Sequence, residues 1–160
     1  MSQDAPSSPA LDGSPFRLGI AAARFNGELV DGLLARVLAR LREAGVKPAN
    51  VAVVRVPGSH EVPWAAQELA RGGVAGQGRA GRCDCVIGLG VLIAGDTNHH
   101  EMVGASVSQA LQRVALDARV PVINGVIVVN SLAQAKARCT GRINRGAEFA
   151  EAALAMAALC

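Results

Sequence analysis

Four short apolar runs, each followed by a segment of helical spacing, constrain this chain more than any other feature. The runs are RLGIAAARF (17–25), NVAVVRV (50–56), CDCVIGLGVLI (83–93) and PVINGVIVV (121–129). After the first, Leu29, Leu33, Leu34, Val37, Leu38 and Leu41 recur on one helical face and stop at Gly45. PWAAQELA after the second stops at Gly72-Gly73, a long helix over about 99–118 follows the third, and helices over 132–138 and 147–159 follow the fourth. Strands alternating with helices specify βαβ units, a parallel sheet and right-handed crossovers. The third run is apolar on both faces, as a central parallel strand must be. The expected fold is a three-layer α/β sandwich.

A chain of 160 residues is long enough for one domain with its own core. Residues 1–15, rich in Pro, Ser and Asp, lack the apolar content that would offset the entropy of ordering them, so a flexible arm is expected ahead of a single domain over 16–160. The glycine-rich stretch 72–82 reads as an exposed connection.

The net charge of +3 is spread without a basic block and only four residues are aromatic, which argues against nucleic acid and leaves anionic small molecules open. The N-terminus has no secretory h-region and no apolar run reaches spanning length, so a cytoplasmic protein without membrane contact is expected. In that setting Cys83, Cys85, Cys139 and Cys160 are free thiols, and Cys83-Asp84-Cys85 has no partner motif of zinc spacing. Of the three histidines, His99 and His100 are adjacent and diverge on a helix by about 100°. No metal site is expected from them and His60.

Parallel α/β folds bind ligands beyond the carboxyl ends of their strands. There stand Arg24-Phe25-Asn26, Pro57-Gly58-Ser59-His60-Glu61, Gly95-Asp96-Thr97-Asn98-His99-His100 and Asn130-Ser131. If Asn98 is the N-cap of the third helix, Glu101 falls at N3 in a capping-box-like pair and His99 is N1. A helix N-terminus disfavours imidazolium, which suits His99 to proton transfer. The amides of Gly95, Asp96 and Thr97 are placed to meet a phosphate, with glycine permitting a tight backbone and Arg138 offsetting the Asp96 charge. Phe25 either stacks on a flat heterocycle or packs on the rim of the core. Glu61 accepts from a polyol, or serves as a charge in the first turn of the second helix.

The motifs ARFN (23–26), VPGSHEVP (56–63), GVLIAGDTNHHEMV (90–103), PVINGV (121–126), QAKAR (134–138) and NRGAE (144–148), in this order, resemble the lumazine synthase family. The resemblance covers essentially all of 16–159. It implies a flavodoxin-like sandwich with a four-stranded parallel sheet, in pentamers or pentamer-based assemblies with active sites between neighbouring subunits. It also implies condensation of 5-amino-6-(D-ribitylamino)uracil with 3,4-dihydroxy-2-butanone 4-phosphate to 6,7-dimethyl-8-ribityllumazine, without a cofactor. Carried over by the resemblance, Phe25 stacks on the pyrimidine, Ser59, His60 and Glu61 hold the ribityl chain and ring, and the backbone of Val91, Leu92 and Ile93 reads the pyrimidine edge. Asn124 is a further pyrimidine contact, Asp96, Thr97 and Arg138 bind phosphate, and His99 transfers protons.

The chain departs from the family's pattern at several places. His60 and Asn124 stand where aromatics are common, Ala94 replaces a frequent basic residue, Met102 a frequent aromatic, and Arg145 a common lysine. Residues 139–143, CTGRI, shorten a loop that varies with assembly state in the family. These departures motivate an alternative reading, a non-catalytic paralogue that binds flavin or lumazine or forms a shell. A generic flavodoxin-like binding module is a third, which would not require His99 and Arg138 together. Retention of Phe25, Glu61, His99 and Arg138 favours the enzyme.

Overall fold

The computed structural model describes residues 10–73 and 82–159. Residues 1–9 of the expected arm, most of the glycine-rich connection and Cys160 lie outside them. The elements run β1 (Leu18–Ala23), α1 (Gly27–Glu43), β2 (Val51–Val56), α2 (Val62–Ala70), β3 (Cys85–Ile93), α3 (His99–Ala118), β4 (Val122–Val129), α4 (Leu132–Cys139) and α5 (Arg145–Ala157). Short 3-10 turns at Pro48–Asn50 and Ser59–Glu61 flank β2. The four strands form one parallel sheet in the order β2-β1-β3-β4. This is the expected three-layer sandwich.

The glycine stops act as their spacing suggests. Gly45 has φ +92°, its N–H meets the Arg42 carbonyl at 2.9 Å and the Val46 N–H meets the Leu41 carbonyl at 3.0 Å. Gly72, at φ +87°, repeats this at the end of α2, with Gly73 donating to Glu68 at 3.0 Å. Both are Schellman ends, in which a left-handed residue lets the chain satisfy the last carbonyls.

Boundaries differ by small, explicable amounts. Strand β2 starts at Val51 because Pro48–Asn50 close a 3-10 turn, Asn50 N–H donating to Lys47 at 2.8 Å. Helix α5 starts at Arg145 rather than 147 because the Asn144 side chain accepts from Ala147 N–H at 3.0 Å. Ahead of β1 the chain is already docked: Leu11 packs against the core and Gly13 N–H donates to Ala44 at 2.7 Å.

Helices α1, α4 and α5 cover one face of the sheet over Leu18, Ile20, Leu33, Leu41, Ile87, Leu89 and Leu154. Helices α2 and α3 cover the other, over Ala21, Val62, Ala66, Val86, Val107 and Leu111. Each large side chain so buried contributes about 1.5–3 kcal/mol. Strand β3 is buried from Cys85 to Val91. Since β1 connects outward to β2 and the chain then crosses back to β3, the topological switch point lies between β1 and β3. Ligands bind beyond the carboxyl ends of the strands at such a point.

Candidate active site

A cleft of about 740 Å³ opens at this switch point. Its walls come from the chain after β1 (Phe25, Asn26), the turn after β2 (Gly58 to Glu61), the end of β3 (Val91, Leu92, Ile93) and the first turns of α3 (His99, His100, Met102, Val103, Ser106).

Local geometry explains each wall. Asn26 adopts φ +55°, a left-handed conformation that Asn tolerates, and its side chain donates to the Val91 carbonyl at 2.7 Å. The turn Ser59–Glu61 is held by Glu61 Oε1, which accepts from Gly58 N–H at 3.0 Å. Glu61 therefore serves the turn and lines the cleft together. Ser59 is 5% exposed and packs on Gly90, where any Cβ would overlap its Oγ. Phe25 is 72% exposed, so its ring lies outside the core and offers an open face at the rim.

At α3 the start is as expected but its capping is not. Asn98 is the N-cap and His99 is N1, yet the Asn98 side chain makes no capping hydrogen bond. Thr97 Oγ1 instead accepts from His99 N–H, at a long 3.4 Å. Gly95 is outside the left-handed region and its Cβ position faces open space, so nothing among the described residues demands glycine there. The two histidines differ in exposure, as the helical rotation predicts, with His99 exposed and His100 8% exposed. They do not part company in position, because both line the cleft. His60 is also on the wall, its Nδ1 3.7 Å from Glu61 Oε2, so all three histidines of the chain meet one cavity. Among the described residues no group of three or more His, Cys, Asp and Glu side chains gathers as a metal site.

Phe25, Ser59, His60, Glu61, Val91, Leu92, Ile93 and His99 are thus brought together, while Asp96, Thr97, Asn124 and Arg138 are not on the lining. Asp96 and Thr97 sit exposed on the loop above β3. Asn124 lines a separate hollow of about 540 Å³ between α3 and β4, with Ser108, Arg113 and Leu116. On α4, Arg138 donates to its own helix at Gln134 O, 3.0 Å away. Arg36 and Arg138 both bear on the buried Cys139, whose thiol burial pushes up to about 11. Motif reasoning missed the structural roles of Asn26 and Gly90 and the cleft-lining His100, Val103 and Ser106. A glycine inside an apolar strand is a usable signal of close approach; the α3 lining had none apart from helical phase.

The family model described as 6,7-dimethyl-8-ribityllumazine synthase matches residues 15–160. Curated relatives bearing that name include one from Mycobacterium avium, 41% identical over 95% of this chain and 89% of its own. One from Thermococcus gammatolerans is 40% identical over 92% of this chain and 89% of its own. Another, from Cupriavidus metallidurans, is 38% identical over 93% of this chain and 82% of its own.

Proposed function

The chain belongs to the 6,7-dimethyl-8-ribityllumazine synthase family, and from that premise we propose how its switch-point cleft condenses 5-amino-6-(D-ribitylamino)uracil with 3,4-dihydroxy-2-butanone 4-phosphate. It is a transferase of riboflavin biosynthesis. The observation that carries the reading of the cleft is convergence: Phe25, Ser59 to Glu61, Val91 to Ile93 and His99, scattered over the chain, line one cavity.

The pyrimidine stacks on the open face of Phe25, with its edge against the backbone of Val91, Leu92 and Ile93. The ribityl chain lies along Ser59, His60 and Glu61. The substrate's amine attacks the ketone carbonyl, water leaves to give an imine, and the phosphate departs as the C–O bond to it breaks. Ring closure by the second amine and loss of a second water complete the product. Each step moves a proton, which His99 accepts and returns at the mouth of the cleft. A positioned acid–base group contributes about 10²–10⁴ in rate. Holding two reactive substrates together contributes more, through effective molarity.

Asn124 and Arg138 act from a neighbouring subunit. In support, both lie off the lining of their own cleft, and the edge bearing them is apolar: Met102, Leu116, Val128 and Leu132 are all exposed on α3, β4 and α4. Such a surface favours association. The assembly is a homo-oligomer built from pentamers, with Asp96 and Thr97 of one copy and Arg138 of the next holding phosphate. The protein is one domain over 16–160, with the segment from Leu11 docked on its core, and works in the cytoplasm; no helix of the described residues is long and apolar enough to cross a membrane.

Mixing the two substrates with the protein and following the lumazine chromophore tests the reaction. Product forming at a rate proportional to protein supports the reading; no product above the uncatalysed rate sinks it.

A further inference from the structure

The second residue of α3 is the least expected member of the cleft. His100 lines the cavity with a side chain only 10% exposed, beside Glu101 at 71%. Its Nε2 lies 3.9 Å from Glu101 Oε1, too far for a hydrogen bond but on the side of the carboxylate. In the neutral tautomer with its proton on Nε2, Nδ1 is an acceptor. Nδ1 is shut off from solvent and has no hydrogen-bond partner among the described residues. Buried polar atoms are nearly always paired, and leaving one unpaired destabilises the fold. An unpaired acceptor on a ring that walls a ligand cleft is suited to a donor that the ligand brings.

The wall opposite narrows the choice of donor. Helix α3 packs against the turn Ser59–Glu61 and His100 shares the cleft with that turn, so it belongs to the part assigned to a polyhydroxyl chain rather than to the exposed phosphate loop. Hydroxyl groups are donors, and turning an imidazole about Cβ–Cγ, a soft torsion, carries Nδ1 toward the cavity.

We infer that His100 is a specificity-determining residue that accepts, at Nδ1, a hydrogen bond from a hydroxyl of the ribityl chain. The inference rests on the proposed function and adds to it a contact by which this chain selects a polyol-bearing pyrimidine over a bare one.

The test is calorimetric titration of the full-length protein with 5-amino-6-(D-ribitylamino)uracil and with 5,6-diaminouracil, which lacks the chain. His100→Phe keeps a ring and removes the acceptor. It should weaken binding of the ribityl compound by about 5-fold or more and that of 5,6-diaminouracil less than about 2-fold. His100→Asn, whose amide reaches the Nδ1 position, should recover most of the loss, whereas His100→Gln, whose amide reaches the Nε2 position, should not. The Asn and Gln pair carries the test alone if His100→Phe fails to fold. Equal losses for both pyrimidines, no loss, or Asn no better than Gln would overturn the inference while wild-type product formation left the catalytic reading standing. Absence of any binding of the ribityl compound to the wild type would overturn both.

Discussion

The side chain of Asn26 donates to the Val91 carbonyl at 2.7 Å, tying the residue after β1 to the end of β3 across the switch point of the sheet. The bond holds a left-handed residue, at φ +55°, next to the exposed Phe25 at the cleft's rim. Asn26→Gly keeps the backbone conformation and removes the bond, and should cost about 0.5–1.5 kcal/mol in urea unfolding. Asn26→Ala adds left-handed strain of about 1–2 kcal/mol and should be the less stable variant. Equal stability of the two would mean that strain plays no part.

Gly90 and Ser59 form a similar pair, one a strand residue and the other a buried turn residue whose Oγ occupies the space a Cβ at 90 would need. Gly90→Ala should destabilise by about 1–3 kcal/mol as the turn is pushed out, and should raise KM for the pyrimidine. Adding Ser59→Gly to Gly90→Ala should restore part of the stability, a coupling readable in a double-mutant cycle. Strictly additive effects would place the strain elsewhere.

How legible all this was in the sequence depends on the range of the forces involved. The strands and α1 were readable because the periods of Leu18–Ala23 and of Leu29 to Leu41 are local, and so were the helix ends at Gly45 and Gly72, where one residue type satisfies one backbone need. The side-chain cap at Asn98 was a wrong expectation: the Glu101 N–H meets the Asn98 backbone carbonyl at 3.1 Å and the Asn98 side chain makes no capping bond, an outcome that spacing does not decide. Helical rotation sets His100 about 100° from His99. Rotation did bury it, but the cleft extends past the helix start to Ser106, which only the packing of α3 on the turn after β2 reveals.

Cys139 supplies a pH dependence of stability. Its thiol is buried between α1 and α4, and burial raises it from 9.0 to about 11, with Arg36 and Arg138 acting the other way. A raised folded value means the unfolded chain loses its proton first, so the stabilisation is complete below pH 9 and declines as pH climbs through 11. The loss by pH 11 is about 2 kcal/mol. Chemical denaturation at pH 8, 9, 10 and 11 should show a shallower decline for Cys139→Ala than for the wild type. Parallel declines would assign the slope to other groups.

Phe25 and Arg138 are assigned to different substrates and should be separable kinetically. Phe25→Ala should raise KM for the ribitylaminouracil more than for the butanone phosphate, since an aromatic face contributes about 0.5–1.5 kcal/mol to a flat ring. Arg138→Ala removes a charge-assisted contact to phosphate and should show the opposite bias. Equal effects of either change on both constants would remove that residue from its assigned subsite.

His99 is the sharpest case, because its exposure at the first position of α3 leaves it little structural work to do. Its backbone N–H donates to Thr97 Oγ1, a bond that survives any substitution other than proline. A loss of activity in His99→Ala is therefore attributable to the imidazole rather than to the fold. Proton transfer by one positioned group supports a fall in kcat of roughly 10- to 10³-fold. Residual turnover should persist, because holding the amine and the ketone in contact supplies rate that needs no histidine. The unfolding midpoint should stay near that of the wild type, in contrast to changes at Asn26 or Gly90, which act through structure. Wild-type kcat in His99→Ala, with stability unchanged, would transfer the proton-handling role to another cleft residue, and His60 and His100 are the other imidazoles on that wall.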